Sequence, residues 1–304
     1  MTTLVVGEAL VDVVVPAAGG PPGTHVGGSP ANVAVGLAAL EHPTRLTAYL
    51  ARDGHGERVL GHLGAAGVAL TPGSLDAPRT STATAHLDAE GVATYDFDLT
   101  WQVGPQELEG VGHLHTGSIA ATLEPGGSAV VELMAAARAG ATVSYDPNCR
   151  PTVMGRPEDT RQRVEECVGR SDVVKASLED VEWLYAGADP GEVIGEWGRL
   201  SPALVVLTRG PDGALVHLSS TGRTVALDPT PARVVDTVGA GDSFMAGLLS
   251  GLLEAGLLGS PEARRRLARA DLTTLSPALH RARSTAAWTV ARAGAAAPTR
   301  ADLA

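Results

Sequence analysis

The sequence predicts an α/β fold with a mostly parallel central sheet, helices on both faces and a small β lid. Apolar runs of strand length alternate with longer segments at helical spacing. Successive pairs of this kind are "TLVVGEALV" with "PANVAVGLAALE", "RLTAYLA" with "GERVLGHLGAAG", and "DVVKAS" with "EDVEWLYA". Such alternation is typical of parallel strands joined by covering helices. Because no repeat or linker divides the chain, we predict a single domain over residues 1–304.

One stretch breaks this alternation and predicts the lid. "TATAHLDAEGVATYDFDL" has period two on both sides of a "DAEG" turn, which predicts a hairpin over residues 82–99. The positions expected on one face of it are Ala93, Tyr95, Phe97 and Leu99. A hairpin inserted early in an α/β chain is a candidate lid, built from parts of about 11–26 and 80–105 and including the loop "PAAGGPPG". The alternative is an ordinary edge hairpin.

Composition and charge favour a small-molecule ligand. The chain has 304 residues, of which 44% are hydrophobic and 19% charged, enough for a large core. Its net charge of −11 would repel nucleic acid and anionic membranes, so we expect neither as a partner. The apolar opening has no preceding basic residue and is interrupted by Glu8 and Asp12, which favours neither a secretory signal nor a membrane span. We therefore expect a cytoplasmic protein.

Cysteine and histidine spacing gives no support for a disulfide framework or a zinc site. Cys149 and Cys167 have no CxxC spacing, and we expect reduced thiols. His113 and His115 in "GHLHTGS" alternate as in a strand, without a carboxylate or cysteine at metal-ligand spacing.

The segment "VVDTVGAGDSFMAGLL", residues 234–249, predicts an anion-binding turn. Gly239 and Gly241 allow successive N–H groups to point one way at the start of a helix. Asp242 follows in the first turn, where a carboxylate can accept the proton of a hydroxyl that attacks a phosphoryl group. The alternative is a tight turn with a capping aspartate. No GxxxxGK[ST] motif is present, which excludes a P-loop, and the third glycine of a dinucleotide fingerprint is missing.

Six segments in order resemble one family. The segment above resembles the second signature of the ribokinase-like (PfkB) carbohydrate kinases, and "HVGGSPANVAVGLAAL", residues 25–40, resembles the first. Between them "ARDGHGERVL", "SYDPNCRP", "VVKASLED" and "VVLTRGPDGA" match further family segments. The resemblance spans essentially the whole chain and is strongest to bacterial fructokinases. It implies the ribokinase-like three-layer α/β/α fold.

The resemblance also implies roles for individual residues. Asp242 is the implied catalytic base, and the implied anion hole is formed by Gly239, Ala240 and Gly241. Implied sugar-binding residues are Asp12, Gly28 and Asn32, with Asp53 and Arg150 as further partners. The local sequence "GGSPAN" by itself predicts that Ser29 is a helix N-cap, with proline at the first helical position. Without the resemblance, Asn32 is a helix-surface amide, Asp12 a strand-end charge, and Arg150 a brace for its own loop.

For the nucleotide, the resemblance points to a set at the ends of later strands: Asn148, Thr208, Gly210 and Gly213. Where the family usually has Asn-x-x-Glu, this chain has Ser177-Leu178-Glu179-Asp180. Asp180 or Glu179 is therefore the candidate for ordering the waters of Mg²⁺. Lys175 has either a structural role or a phosphate contact.

Asp236 and Gly294 match a monovalent-cation site of family members. The alternative for Asp236 is that it accepts loop N–H bonds and shapes the anion hole.

Together these features predict an ATP-dependent kinase of a primary hydroxyl of a small sugar, fructose above all. The expected cofactors are ATP, Mg²⁺ and K⁺, and a homodimer is expected. Two alternatives remain open. One is a kinase of ribose, 2-keto-3-deoxygluconate or a nucleoside, and the other is a catalytically idle sugar-binding regulatory protein.

Overall fold

The structure is a computed structural model that describes residues 1–17, 19–88 and 93–303. In chain order its strands are β1 (Thr2–Val6), β2 (Leu10–Val15), β3 (Gly23–Gly27), β4 (Thr44–Thr47), β5 (Ala69–Leu70), β6 (Thr82–Leu87), β7 (Ala93–Asp98), β8 (Val111–Gly117), β9 (Thr142–Asp146), β10 (Val173–Ser177), β11 (Leu204–Thr208), β12 (Ala214–Leu218) and β13 (Arg223–Leu227). Its helices are α1 (Ser29–Ala39), α2 (Gly54–Ala65), α3 (Gly126–Ala137), α4 (Pro151–Met154), α5 (Pro157–Val168), α6 (Leu178–Leu184), α7 (Pro190–Leu200), α8 (Ala240–Glu254), α9 (Pro261–Leu267) and α10 (Leu272–Val290). None of the helices within the described ranges is long and apolar enough to cross a membrane.

The larger sheet has nine strands in the order β13-β12-β11-β10-β9-β8-β1-β4-β5. The strands from β5 to β11 in this order run parallel, and β12 and β13 add antiparallel strands at one edge. Strand β1 lies between β4 and β8, so later strands of the chain are added to the sheet on both sides of β1. In open α/β sheets such a reversal of strand order opens a ligand-binding crevice at the carboxyl ends of the strands. The crevice is bordered here by the residues that follow β1 and β8.

Helices cover both faces of this sheet, as the sequence predicted. Val5 belongs to an apolar core shared with α1, α8 and α10, whereas its neighbours Leu4 and Val6 belong to a core shared with α3, α5 and α7. Successive strand side chains point to opposite faces, so β1 contributes to both layers. Helix α1 approaches α8 so closely that a Cβ atom on Gly36 would lie 2.7 Å from the Cβ of Ala246. This close packing holds the two helices in one register.

The smaller sheet has the strand order β3-β2-β6-β7. It confirms the predicted hairpin, because β6 and β7 pair antiparallel and Tyr95 and Phe97 stack on one face with ring centroids 6.0 Å apart. The side chain of Ala93 and most of the predicted "DAEG" turn lie outside the described residues. Strands β2 and β3 come from the predicted lid segment at about 11–26. Closure of this sheet over a substrate stays a prediction.

Two histidines form a buried polar row on β8. His113 Nε2 and His115 Nδ1 both lie 2.9 Å from the Ser144 hydroxyl oxygen. Burial lowers the pKa of each histidine to about 3, so both rings are neutral at pH 7. Cys149 and Cys167 are free and buried. His113 and His115 are therefore neutral side chains that hydrogen-bond to Ser144 inside the protein.

Candidate active site

Asp242, the predicted base, lies in the first turn of α8 and is 8% exposed. The helix starts after Gly239, whose φ of 74° is a left-handed conformation that glycine adopts at little cost. Two side chains of α1 donate to the carboxylate: Ser29 Oγ to Oδ1 at 2.6 Å and Asn32 Nδ2 to Oδ2 at 2.8 Å. Both oxygens of Asp242 are thus hydrogen-bonded where α1 and α8 meet.

The start of α1 differs from the prediction. Ser29 was expected to be the N-cap, but the N-cap is Gly28, with φ of 107°, and no side chain caps the helix. Ser29 is the first helical residue and its hydroxyl donates to Asp242 instead. Serine at an N-cap is favoured by a local hydrogen bond, whereas a hydrogen bond to an ionised carboxylate is stronger. A partner more than 200 positions away in the sequence therefore decides what this serine does.

The turn before α8 holds two free amides. Within the part of the chain that the structure describes, the N–H groups of Gly239 and Gly241 donate to no protein acceptor, whereas Ala240 N–H donates to the Thr237 carbonyl oxygen at 3.2 Å. The first N–H groups of a helix lack helical partners and attract anions. Two of the three predicted donors are therefore free, and the third is held in a turn.

Lys175 lies directly beneath this turn. It is 3% exposed, its Nζ lies 2.9 Å from Asp146 Oδ2, and a Cβ atom on Gly241 would lie 2.9 Å from Nζ. Burial alone would lower the pKa of Lys175, but the carboxylates of Asp146 and Asp180 raise it above its ordinary value. The side chain is therefore an ammonium ion. It places a positive charge beside the predicted anion hole.

Asp146, the partner of Lys175, was not among the predicted site residues. It is the last residue of β9, and burial raises its pKa to about 6 against the opposing effect of Lys175. Its Oδ1 atom is buried and has no hydrogen-bond partner among the described residues. An aspartate directly after an apolar strand, in "SYDPN", is the sequence signal that points to it.

The predicted sugar-binding residues Asp12, Gly28 and Arg150 lie in one region. Burial raises the pKa of Asp12, and the electrostatic effects of the nearby His25 and Arg150 oppose this rise. Arg150 also lowers the pKa of Glu8, and Gly28 packs against the main chain of Glu8. Because Arg150 additionally donates to Asn148 Oδ1 at 2.7 Å, it braces its loop while its charge acts on both carboxyl groups.

Glu8 is a site residue that the sequence analysis missed. It follows β1 at the crevice, is 7% exposed, and its Oε2 atom has no partner within the described ranges. Burial raises the pKa of Glu8 to about 7, with Ser118 and Arg150 acting in the opposite direction. Its signal was an acidic residue at the end of a central strand. In the sequence alone, Glu8 counts only as an interruption of the apolar opening, against a secretory signal or a membrane span.

Asp53, also predicted to contact sugar, is engaged with the main chain. Its Oδ1 accepts from Gly56 N at 2.7 Å, which caps α2, and its Oδ2 accepts from Thr80 N at 2.9 Å. Burial acts to raise the pKa of Asp53, but these N–H donors outweigh it and the pKa is lowered. The sugar contact stays a prediction.

Replacing Asp53 by alanine is expected to lower the free energy of unfolding by about 1–2 kcal/mol, because a helix cap is lost together with the Thr80 bond. The matched control is Asp189→Ala, which removes the α7 cap to Glu192 N and no second bond, so a smaller loss is expected. Denaturant unfolding measures both. The Asp53 contribution is present near neutral pH and lost as pH falls below the usual carboxyl range, because its folded pKa is lowered. An unchanged sugar KM in Asp53→Ala would contradict the sugar contact.

The predicted nucleotide residues lie at the carboxyl ends of β9, β10 and β11. Asn148 has a φ of 37°, and Thr208 ends β11 and donates to the Ala176 carbonyl oxygen at 3.3 Å. Gly210 and Gly213 flank a short turn between β11 and β12, with φ of 52° and 79°. The parallel register of β10 and β11 sets Ser177 opposite Thr208, so these ends meet at one edge.

The two acidic candidates for Mg²⁺ differ in what they contact. Asp180 is buried, and its carboxylate accepts from Cys149 N at 2.6 Å and Ser177 N at 2.7 Å, the latter within a capping box at the start of α6. Glu179 is exposed. Asp180 thus joins the loop after β9 to the start of α6, and Glu179 is the carboxylate that solvent reaches.

Asp236 and Gly294, the predicted cation pair, lie in contact. Asp236 Oδ2 accepts from Gly294 N at 2.8 Å and Oδ1 from Val238 N at 3.0 Å, and these N–H donors lower the pKa of Asp236. The geometry therefore fits the alternative in which Asp236 shapes the anion hole. Across the described residues, no group of three or more histidine, cysteine, aspartate or glutamate side chains could hold a metal ion. The cation site stays a prediction.

Comparison with known proteins identifies the family. Residues 3–302 match the family model described as "pfkB family carbohydrate kinase". The chain belongs to this family of carbohydrate kinases. A fructokinase from Klebsiella pneumoniae is 35% identical over 265 residues, which cover 83% of this chain and 85% of that relative. The family membership confirms the resemblance carried by the two signatures.

Solved structures with the same fold hold sugars and nucleotides. A fructokinase double mutant from Vibrio cholerae O395, in fructose, ADP and potassium ion bound form, matches with a TM-score of 0.77 and 26% identity, covering 99% of this chain and 96% of that one. Aminoimidazole riboside kinase from Salmonella enterica, complexed with aminoimidazole riboside and an ATP analogue, matches with a TM-score of 0.79 and 25% identity, covering 100% of this chain and 98% of that one. The predicted ribokinase-like α/β/α fold is confirmed.

Proposed function

We propose that this pfkB family kinase is an ATP-dependent fructokinase that phosphorylates a primary hydroxyl of fructose. The observation that carries the proposal is the Asp242 carboxylate, hydrogen-bonded by Ser29 and Asn32 beside the free amides of Gly239 and Gly241. A carboxylate next to anion-binding N–H groups suits phosphoryl transfer to an alcohol. The similarity to a named fructokinase and to a structure that holds fructose and ADP supports the choice of sugar.

In the proposed reaction, Asp242 receives the proton of the sugar hydroxyl as its oxygen attacks the γ-phosphorus in line. The N–H groups of Gly239 and Gly241 bind the oxygens of the transferred group, and Ala240 joins them by releasing Thr237. The ammonium group of Lys175 adds positive charge from below the turn. The amides of Gly239 and Gly241 are already free and can stabilise developing charge without reorganising, an effect that is the largest single term in many enzymes.

The proposed sugar site lies at the crevice after β1. Asn32 offers an amide that can donate and accept, Asp12 a carboxylate, and Arg150 a guanidinium on the same side. Gly28 lies beside them, packed against the main chain of Glu8. These groups suit a small polyhydroxylated ligand better than an apolar one.

The proposed nucleotide site lies along the ends of β9, β10 and β11. Oxygen donors such as the exposed Glu179 carboxylate and the Thr208 hydroxyl suit Mg²⁺, which binds oxygen and commonly keeps several waters. Because both oxygens of Asp180 are bound by main-chain amides, we assign Glu179 to those waters. When bound, Mg²⁺ supplies positive charge to the phosphate oxygens.

For K⁺, the proposed ligands are the Asp236 carboxylate and main-chain oxygens near Gly294, since Asp236 carries a negative charge that the two N–H donors do not neutralise. The potassium ion in the related fructokinase structure supports this assignment. The cytoplasmic location and the homodimer remain predictions of the sequence.

The substrate is tested by coupled ADP release with fructose, ribose, 2-keto-3-deoxygluconate and adenosine. We expect kcat/KM for fructose to exceed each of the others by about tenfold or more, because a missing or misplaced hydroxyl leaves buried polar groups unpaired. The riboside kinase among the similar structures makes a nucleoside the strongest competitor. A preference for adenosine or ribose would contradict the fructose assignment. Calorimetric binding of fructose without ADP release from any acceptor would favour the idle regulatory protein.

A further inference from the structure

The contact between Ser29 and Asp242 joins two buried groups. Ser29 is 6% exposed and Asp242 8%, and the 2.6 Å hydrogen bond runs from Ser29 Oγ to Asp242 Oδ1. The serine makes no capping bond to its own helix, and its hydroxyl donates to the carboxylate instead. A hydroxyl that donates to an ionised carboxylate forms one of the stronger hydrogen bonds in proteins.

The two oxygens of Asp242 are not equivalent. Oδ1 accepts from Ser29, which is buried where α1 packs against α8. Oδ2 is bound by the Asn32 amide, which is half-buried and belongs to the proposed sugar site. An incoming hydroxyl can replace the Asn32 amide at Oδ2, whereas Oδ1 is closed to it by the serine.

We propose that Ser29 is a positioning residue for the phosphoryl transfer: it holds Asp242 by Oδ1, so that Oδ2 is the oxygen that accepts the sugar proton once the sugar takes the place of the Asn32 amide. The inference rests on the proposed role of Asp242 as the base. It adds the assignment of each carboxylate oxygen and a role for Ser29, a residue of the first signature to which the resemblance gave no part in catalysis.

The chemistry at Oδ2 balances without a further reactant. The sugar O–H bond breaks and its proton goes to Asp242 Oδ2, while the sugar oxygen forms a bond to the γ-phosphorus. The bond between the γ-phosphorus and the bridging oxygen breaks, and its electron pair leaves with ADP. Ser29 keeps its proton throughout. Its hydrogen bond to Oδ1 favours the ionised form of the carboxylate before transfer and fixes the direction of Oδ2.

Other charged groups also act on Asp242. They are Glu8 after β1, Asp146 at the end of β9 and Lys175 on β10. A change made at Ser29 leaves these three groups in place, so a difference in kcat between parent and variant reports on the serine.

The test is Ser29→Ala, assayed for kcat and KM with fructose. We expect kcat to fall about tenfold, as for a lost hydrogen bond to a charged group, with the fructose KM within about twofold of the parent. A serine that served packing alone would lower thermal stability without this selective loss of kcat.

Ser250→Ala is the matched control. Ser250 is buried on α8 and hydrogen-bonded with His42 and Arg281, away from the proposed site, so its loss should lower the thermal midpoint and leave kcat unchanged. If Ser29→Ala does not fold, Ser29→Cys replaces it, since a thiol is a weak donor of similar shape. The same outcomes then apply.

A parent-like kcat in the Ser29 variant would overturn the positioning role. The same assay on Asp242→Asn separates this failure from that of the proposed function. An inactive Asp242→Asn beside a parent-like Ser29 variant refutes the serine assignment alone, whereas an active Asp242→Asn refutes the proposed base itself.

Discussion

Asp242→Asn should lose between about 10²-fold and 10⁴-fold in kcat, the usual contribution of a positioned general base. The asparagine has the same size and can still accept the Ser29 hydroxyl through its carbonyl oxygen. Its amide nitrogen, however, cannot take a proton. Because the Asn32 amide can turn to present its oxygen instead, we expect the fold and the binding of fructose and ATP to survive.

Coupled ADP release measures the loss, and calorimetry with fructose and ATP measures binding. Asp189→Asn is the control. Asp189 is also an aspartate at the start of a helix, the N-cap of α7, but it lies outside the proposed site. A variant with the kcat of the parent would show that another group accepts the proton. A variant that no longer binds either ligand would show that Asp242 serves binding and not transfer.

Gly239→Val should abolish measurable transfer and destabilise the protein. The residue has φ of 74°, which costs a residue with a side chain about 1–2 kcal/mol, and its Cβ would lie 2.5 Å from the Cβ of Ala295. Relief of that clash moves the turn and with it the free amides of Gly239 and Gly241. Loss of one such donor lowers kcat by about 10²–10³-fold in other enzymes.

The control for the backbone cost is Gly187→Val. Gly187 has φ of 81°, and no atom lies within 4 Å of its Cβ position. Thermal unfolding of both variants gives the cost of the left-handed conformation from Gly187→Val and the extra cost of the clash from the difference. Activity in Gly239→Val equal to that in Gly187→Val would contradict an anion hole at this turn.

Local patterns predicted the architecture well because they act over a few residues. The apolar runs, the helical spacing and the period-two hairpin each appear in the structure as the expected element. The glycine pair before Asp242 predicted a turn that leads into a helix for the same reason, and the structure has that turn. A left-handed residue followed by a helix is a property of the local sequence.

The parts that the sequence could not supply depend on residues far apart in the chain. Ser29 looked like an N-cap, and only the packing of α1 against α8 shows that its partner is Asp242. Lys175 was ambiguous between two roles until its pairing with Asp146 placed it under the glycine turn. Asp180 was one of two candidates for ordering the waters of Mg²⁺, and its hydrogen bond from the distant Cys149 N could not be read from its own segment. Each outcome depends on tertiary contacts, which spacing along the chain does not encode.

The burial of Lys175 has a consequence for chemical modification. It is the single lysine of the sequence, and its amine is enclosed with a carboxylate that keeps it protonated. Arginine supplies all the other cationic side chains apart from histidine. Acylating enzymes, ubiquitin ligases and amine-reactive dyes therefore find no lysine on the surface to modify.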